Sequence, residues 1–212
     1  MKLVSLNLYK CQDEQNEKGS VELCTVDDLS FINWLLRSSL RENIKFQCRL
    51  VVSRCRKNVR CSIEESEMGL RCHAFVHPCG LGATVVADSE FPARVAFALI
   101  SQAIDSFLDN YSGKWQDVTA DTNYDCPKLQ VIFRKFHDLE EIDKLTKIEE
   151  ELEEVRSVLL QSMDGLLKRG ETMKSLVEKT DQLSSASKAF RDQAQRNNSW
   201  CVWFRRLLSV GV

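Results

Sequence analysis

Between Leu145 and Asn197 apolar or small side chains recur alternately every three and four residues, at Leu145, Ile148, Leu152, Val155, Leu159, Ser162, Leu166, Arg169, Met173, Leu176, Thr180, Leu183, Ser187, Phe190, Ala194 and Asn197. A mean spacing of about 3.5 residues is the period of a left-handed coiled coil. The intervening positions are largely charged or polar, among them Glu149, Glu150, Glu153, Lys168, Glu171, Lys174, Glu178 and Lys179. One narrow stripe therefore faces partner helices and the rest faces water. A lone helix cannot bury that stripe, so the pattern predicts assembly with helices from other chains.

Arg169 interrupts the stripe near its middle. A guanidinium in an apolar seam costs several kcal/mol unless its donors find acceptors, so the pattern predicts a single polar layer that sets the register of the bundle. The alternative is an ordinary coiled coil in which the long stem of Arg169 snorkels to the seam's edge. The segment begins after Asp138 and Glu141, which have capping-box-like spacing, and its first part is strongly acidic. Gly165 and Gly170 each cost about 1 kcal/mol of helix propensity relative to Ala. The segment is thus expected to be marginal alone, folding on its partners or docking on its own N-terminal domain.

Residues 1–137 read as one α/β domain. Strands are expected at Leu3 to Tyr9, with Val4, Leu6 and Leu8 inward and Ser5 and Asn7 outward, at Val21 to Val26, at Val59 to Glu64, at Leu70 to His77 and at Leu81 to Ala87, the last a buried central run. Ser30 is the expected cap of a helix carrying Phe31, Trp34, Leu35, Leu40 and Ile44; Cys48 to Ser53 follows as a separate segment before a turn at Arg54 to Asn58. Pro92 fits the first turn of a second helix, whose Ala96, Leu99, Ile100, Ala103, Ile104 and Phe107 form an apolar stripe. Asn110 to Asp125 reads as irregular, and Leu129 to Phe133 as a short apolar run.

A net charge of −2 over 212 residues gives no basic face for nucleic acid. Nine cysteines without CxxC pairs suggest free thiols in a reducing compartment. No window approaches the about 20 apolar residues of a membrane-spanning helix, and Met1 to Lys10 lacks the apolar core of a signal peptide. Cys72, His73, His77 and Cys79 invite a zinc reading. On an extended strand, however, His73 and His77 lie roughly 13 Å apart and Cys72 points away from His73, so neither a metal nor another cofactor is expected. Gly80-Leu81-Gly82 precedes a strand and makes a poor phosphate cradle, and no G-x-S-x-G elbow is present. The expectation is a non-enzyme, with a thiol-dependent enzyme as a remote alternative.

Leu166-Leu167-Lys168-Arg169-Gly170-Glu171, with the stripe around it and Lys188-Ala189-Phe190 beyond, resembles the motif of the vesicle, or R-type, SNAREs. Asp88-Ser89-Glu90-Phe91-Pro92-Ala93-Arg94-Val95-Ala96-Phe97 resembles the longin domain that precedes that motif in some of them. The resemblance implies an α+β, profilin-like domain with a five-stranded antiparallel sheet between helices (1–137), a SNARE coiled-coil helix (138–198) and a divergent tail (199–212). It also implies that Arg169 is an ionic layer met by glutamines from three Q-SNARE helices in a bundle that drives membrane fusion. The longin domain would regulate the motif by an intramolecular contact, on the cytosolic face of ER, Golgi or endosomal membranes.

The end of the chain is similar to the branch of that family that has no transmembrane helix and is anchored by two C-terminal cysteines, one palmitoylated and one prenylated. Trp200 stands at the first of those positions. Cys201, at the second, is followed by Val202 to Val212 rather than by three residues, so prenylation is not expected there, although Cys201 remains a candidate for S-acylation. Trp200, Trp203, Phe204, Leu207 and Leu208 around Arg205 and Arg206 suit weak peripheral membrane contact. An unanchored variant that regulates or inhibits fusion is the alternative reading.

Overall fold

The computed structural model describes residues 2–11, 20–65, 69–137 and 158–196. In order these form β1 (Leu3–Lys10), β2 (Val21–Asp27), α1 (Trp34–Arg54), β3 (Arg60–Glu65), β4 (Leu70–Val76), β5 (Leu81–Asp88), α2 (Ala93–Tyr111), α3 (Pro127–Lys135) and β6 (Val158–Ser162). A 3₁₀ turn (Asp164–Leu166), α4 (Met173–Lys179) and α5 (Ser185–Arg196) follow. The sheet order is β2-β1-β5-β4-β3-β6. The first five strands are antiparallel to their neighbours, as the family resemblance implies, while β6 runs parallel to β3 along the sheet's edge.

Both faces of the sheet are covered. Leu6, Leu8, Ala83 and Val85 pack beneath α2 and α3 against Leu99, Phe107, Leu129 and Phe133. Val4, Tyr9, Ile63 and Ala74 pack on the opposite face against Leu40, Ile44, Cys48 and Val52 of α1. This second layer corrects the expected orientation of β1. A register irregularity between Leu3 and Ser5 turns Val4 away from Leu6, and Ser5 and Asn7 are buried rather than solvated. Their polar groups are met inside only in part: the Asn7 Nδ2 group donates to Ser5 Oγ and Thr84 Oγ1, each at 3.2 Å, while Asn7 Oδ1 has no hydrogen-bond partner among the described residues.

Helix α1 is capped by Asn33 and not by Ser30. Asn33 Oδ1 accepts the Leu35 N–H at 3.1 Å, whereas Ser30 closes a turn whose N–H is taken by Asp28. The helix also runs through Cys48 to Ser53, because Ile44, Cys48, Val51 and Val52 continue one buried face at helical spacing. The expected turn lies beyond it, with Asn58 at φ 62°. β5 approaches α1 closely, and a Cβ on Gly82 would stand 2.6 Å from Val52 Cγ1, so only glycine fits there. The apolar run at Leu129 to Phe133 becomes α3, opened by Pro127 in its first turn.

Candidate functional site

The heptad segment is not one helix in this conformation. Val158 to Ser162 pair with Arg60 to Glu64 of β3, extending the sheet by a parallel strand. Gly170, at φ 87°, takes a left-handed turn that a side chain would strain. Thr172 then starts α4 with a reciprocal cap, accepting the Ser175 N–H while Ser175 Oγ accepts the Thr172 N–H, both at 3.1 Å. α4 and α5 lie over α1, where Met163, Met173, Val177 and Leu183 join the same core cluster as Leu40, Ile44 and Phe46. Leu166, Leu167, Leu176 and Phe190 are partly buried against it. Full burial of a side chain of this size contributes about 1.5–3 kcal/mol, so these contacts are the principal attraction between the two parts of the chain.

Polar contacts align the clasp. Arg54 Nη2, at the end of α1, donates to both carboxylate oxygens of Glu171 at 3.2 and 3.1 Å, and Glu171 Oε2 also accepts the Lys168 N–H at 2.8 Å. These bonds, that from the Lys168 backbone foremost, hold the Glu171 carboxyl below the usual glutamate range. The buried Asn43 side chain donates to the Ser187 carbonyl at 3.1 Å, and Glu42 Oε2 accepts the Ser184 N–H at 2.9 Å, which lowers the Glu42 carboxyl in the same way.

The seam positions fall in three groups. Met173, Leu183 and Ser187 are buried in the clasp; Leu166, Leu176, Thr180 and Phe190 are half-buried; Leu159, Ser162 and Arg169 are exposed. Arg169 forms no ion pair among the described residues. Leu145, Ile148, Leu152, Val155 and Asn197 lie outside the described residues, as do Trp200 and Cys201, while Ala194 is described only in its backbone. The continuous helix expected over 138–198 is therefore replaced, across 158–196, by strand, turn and two short helices.

Comparison with known proteins follows the same division of the chain. The synaptobrevin family model matches residues 144–211, and the longin model, described as a regulated-SNARE-like domain, matches residues 33–132. The VAMP-like protein YKT61 of Arabidopsis thaliana is 36% identical over 202 residues, which cover 95% of this chain and 99% of that protein. YKT62 of the same plant is 37% identical over 204 residues, and the synaptobrevin homolog ykt6 of Schizosaccharomyces pombe is 30% identical over 203, each with the same coverage. The chain belongs to the Ykt6-type longin SNAREs. It is an R-SNARE of vesicle trafficking and fusion, and the clasp is this longin SNARE's contact between its two family domains.

Cys72, His73, His77 and Cys79 do not gather at one point in this SNARE. His73 is buried, 2.8 Å from Ser62 Oγ and edge-on to Phe97 of α2, while Cys72 belongs to the cluster beneath α1; the two point to opposite faces of the sheet. His77 Nδ1 lies 2.9 Å from Cys79 Sγ on the surface, just past the end of β4. Burial pushes the Cys11 thiol up to about 12 and that of Cys24 higher still, so neither is a thiolate at neutral pH. No helix among the described residues is long and apolar enough to cross a membrane.

Arg54, Asn43 and Glu42 were not legible as interface residues in the sequence. Each sits on a helix whose partner lies more than 100 positions away, and helical spacing carries no signal for such a contact.

Proposed function

We propose that this chain supplies the R-helix of a four-helix SNARE bundle with three Q-SNARE helices, and that the clasp is the form in which it waits. In this reading residues 1–137 act as the regulatory longin domain and 138–198 as the coil, with 199–212 as a tail that makes peripheral contact with the cytosolic face of ER, Golgi or endosomal membranes. Arg169 is the ionic layer, flanked by Leu145 to Leu166 before it and Met173 to Asn197 after it.

The observation that carries the reading is the burial of Met173, Leu183 and Ser187 against α1. Those side chains belong to the seam, and one surface cannot be buried twice. Clasp and bundle are therefore mutually exclusive, and the longin domain competes with the Q-SNAREs for one set of residues. Binding to partners must outweigh the free energy of the clasp, so the apparent affinity is reduced by the fraction of chains that are closed.

Mixing the full chain with candidate Q-SNARE helices tests this directly. Assembly is expected to raise helical ellipticity, give a detergent-resistant complex and release the amide protection of residues 158–162, which must leave the sheet to join the bundle. A chain that stays monomeric with every Gln-bearing set, or a complex in which β6 remains protected, defeats the reading.

A further inference from the structure

The edge of the sheet opposite the clasp is only half covered. β2 pairs with β1 alone, so its other side is an edge among the described residues. Along the first half of that edge the chain itself lies extended: the Thr122 N–H donates to the Glu22 carbonyl and the Tyr124 N–H to the Leu23 carbonyl, both at 2.8 Å, and Asp121 Oδ1 accepts the Glu22 N–H at 3.0 Å. The chain then turns away at Pro127 into α3. Burial changes at the same point, from a fully buried Val21–Cys24 to a half-exposed Thr25–Asp28.

What remains is a cleft of about 490 Å³, with Thr25, Val26 and Asp27 as one wall, Arg134 and His137 of the α3 end as the other, and Phe133 between them. Its acidic groups already have partners. Asp27 takes two hydrogen bonds from Arg41, at 2.5 and 3.0 Å, and Asp28 takes the Ser30 N–H at 2.9 Å and faces His137 at 3.8 Å. Arg134 has no ion pair among the described residues. The cleft thus offers an open strand edge, a buried aromatic floor and a cation that has no counter-charge among the described residues.

We propose that the outer edge of β2 at Thr25–Asp27 receives an extended peptide from a partner protein, which adds a short strand beside β2 and places a carboxylate side chain on Arg134. Main-chain hydrogen bonds supply the attachment and alternate side chains the selectivity, as in other strand-addition sites. The residues 121–124 show that this edge accepts such a guest, and the peptide continues the line they begin. Five inter-strand spacings of about 4.8 Å, roughly 24 Å, separate β2 from β6, so the site is open whether the clasp is closed or released. Both forms of the SNARE are then recruited by the same partner.

The test is an NMR titration of the full chain with a capped pentapeptide of alternating threonine and valine with a central glutamate. Saturable shifts at millimolar peptide, centred on the amides of Thr25 to Asp28 and on α3 near Arg134, are expected, with the clasp amides of 158–162 unmoved. A central lysine is expected to weaken binding about threefold, the scale of an exposed ion pair, and Arg134→Glu to reverse that preference; this exposed substitution leaves the fold intact. Alternate N-methylation of the peptide backbone is expected to abolish the shifts, because it removes the ladder donors. The proposal is overturned if no saturable shift appears, if shifts fall elsewhere, or if binding ignores both N-methylation and charge. It is equally overturned if the outward-facing amides of Thr25 and Asp27 are already protected without peptide, or shift with protein concentration alone, since the chain or a second copy then fills the edge.

Discussion

Arg54 and Glu171 stand 117 positions apart and meet in a two-pronged ion pair at the end of α1. The side chains are 18% and 27% exposed, so the pair is screened less than a surface pair but keeps contact with water. It also lies two residues from Arg169, so the chain next to the proposed ionic layer is held while the layer's own charge stays free. Charge-assisted hydrogen bonds of this kind contribute about 1.5–3 kcal/mol, discounted here for exposure. Arg54→Ala is expected to shift the clasp toward its open form by about tenfold, read as faster hydrogen exchange over 158–190, with the exchange of β1 and β5 unchanged. In a double-mutant cycle Glu171→Gln adds, once Arg54 is gone, only what the Lys168 N–H bond loses when its acceptor becomes a neutral amide oxygen.

Val177 separates the clasp from the bundle. It is buried in the clasp but is not a seam position, whereas Leu183 is both. Val177→Ser removes apolar burial and places a hydroxyl in an apolar site, a loss of about 2 kcal/mol to the clasp. It is expected to speed assembly with Q-SNARE helices without lowering the complex's melting temperature. Leu183→Ser should open the clasp by a similar amount and also give a complex that melts earlier. Rates that fall with Val177→Ser would show that the clasp is needed for assembly and does not compete with it.

Acid acts on the two halves of the molecule in different windows. Burial depresses the His73 imidazole to about 4. Between the ordinary histidine value of about 6.5 and that level the unfolded chain binds the extra proton, so stability falls as pH falls through this range and rises again with pH. Glu42 and Glu171 are also held low, but as carboxylates: their contribution to the clasp is complete above the ordinary glutamate value of about 4.3 and is lost only below it. Denaturation of the longin core is expected to become easier from pH 6.5 downward, while exchange over 158–190 relative to the core stays constant until pH drops below the glutamate range. His73→Phe should flatten the first dependence and leave the second.

The strands of the longin core were legible because alternation and turn residues are local signals, and β2 to β5 lie within a residue or two of where such signals place them. β1 was placed correctly but oriented on the assumption of one wet face. Ser5 and Asn7 look like surface residues until α1 is known to cover them, and the Asn7 amide then donates to Thr84 and Ser5. The clasp was legible only as a weakness: Gly165 and Gly170 marked a helix that would not hold alone, and docking on the N-terminal domain was one of two expected outcomes. That Val158 to Ser162 form a strand could not be read from spacing, since Leu159 and Ser162 satisfy the coiled-coil repeat equally well. In the function proposed here one stretch of sequence serves two structures, and a period describes only the one in which all its positions point the same way.

Arg169 distinguishes those two structures most sharply. In the clasp it is exposed, and the hydrogen bonds nearby belong to Lys168 and Glu171. Arg169→Leu is therefore expected to leave exchange over 158–190 and the melting of the isolated chain unchanged within about 0.5 kcal/mol, the usual scale for a surface site. In the bundle the same change removes the only charge from the seam, so helices displaced by a heptad are no longer penalised by an orphaned guanidinium. Bundle stability should change little, while cross-linking between facing helices should report mixed registers in place of one. A variant that alters the clasp, or a bundle that keeps a single register without the arginine, would remove Arg169 from the role proposed for it.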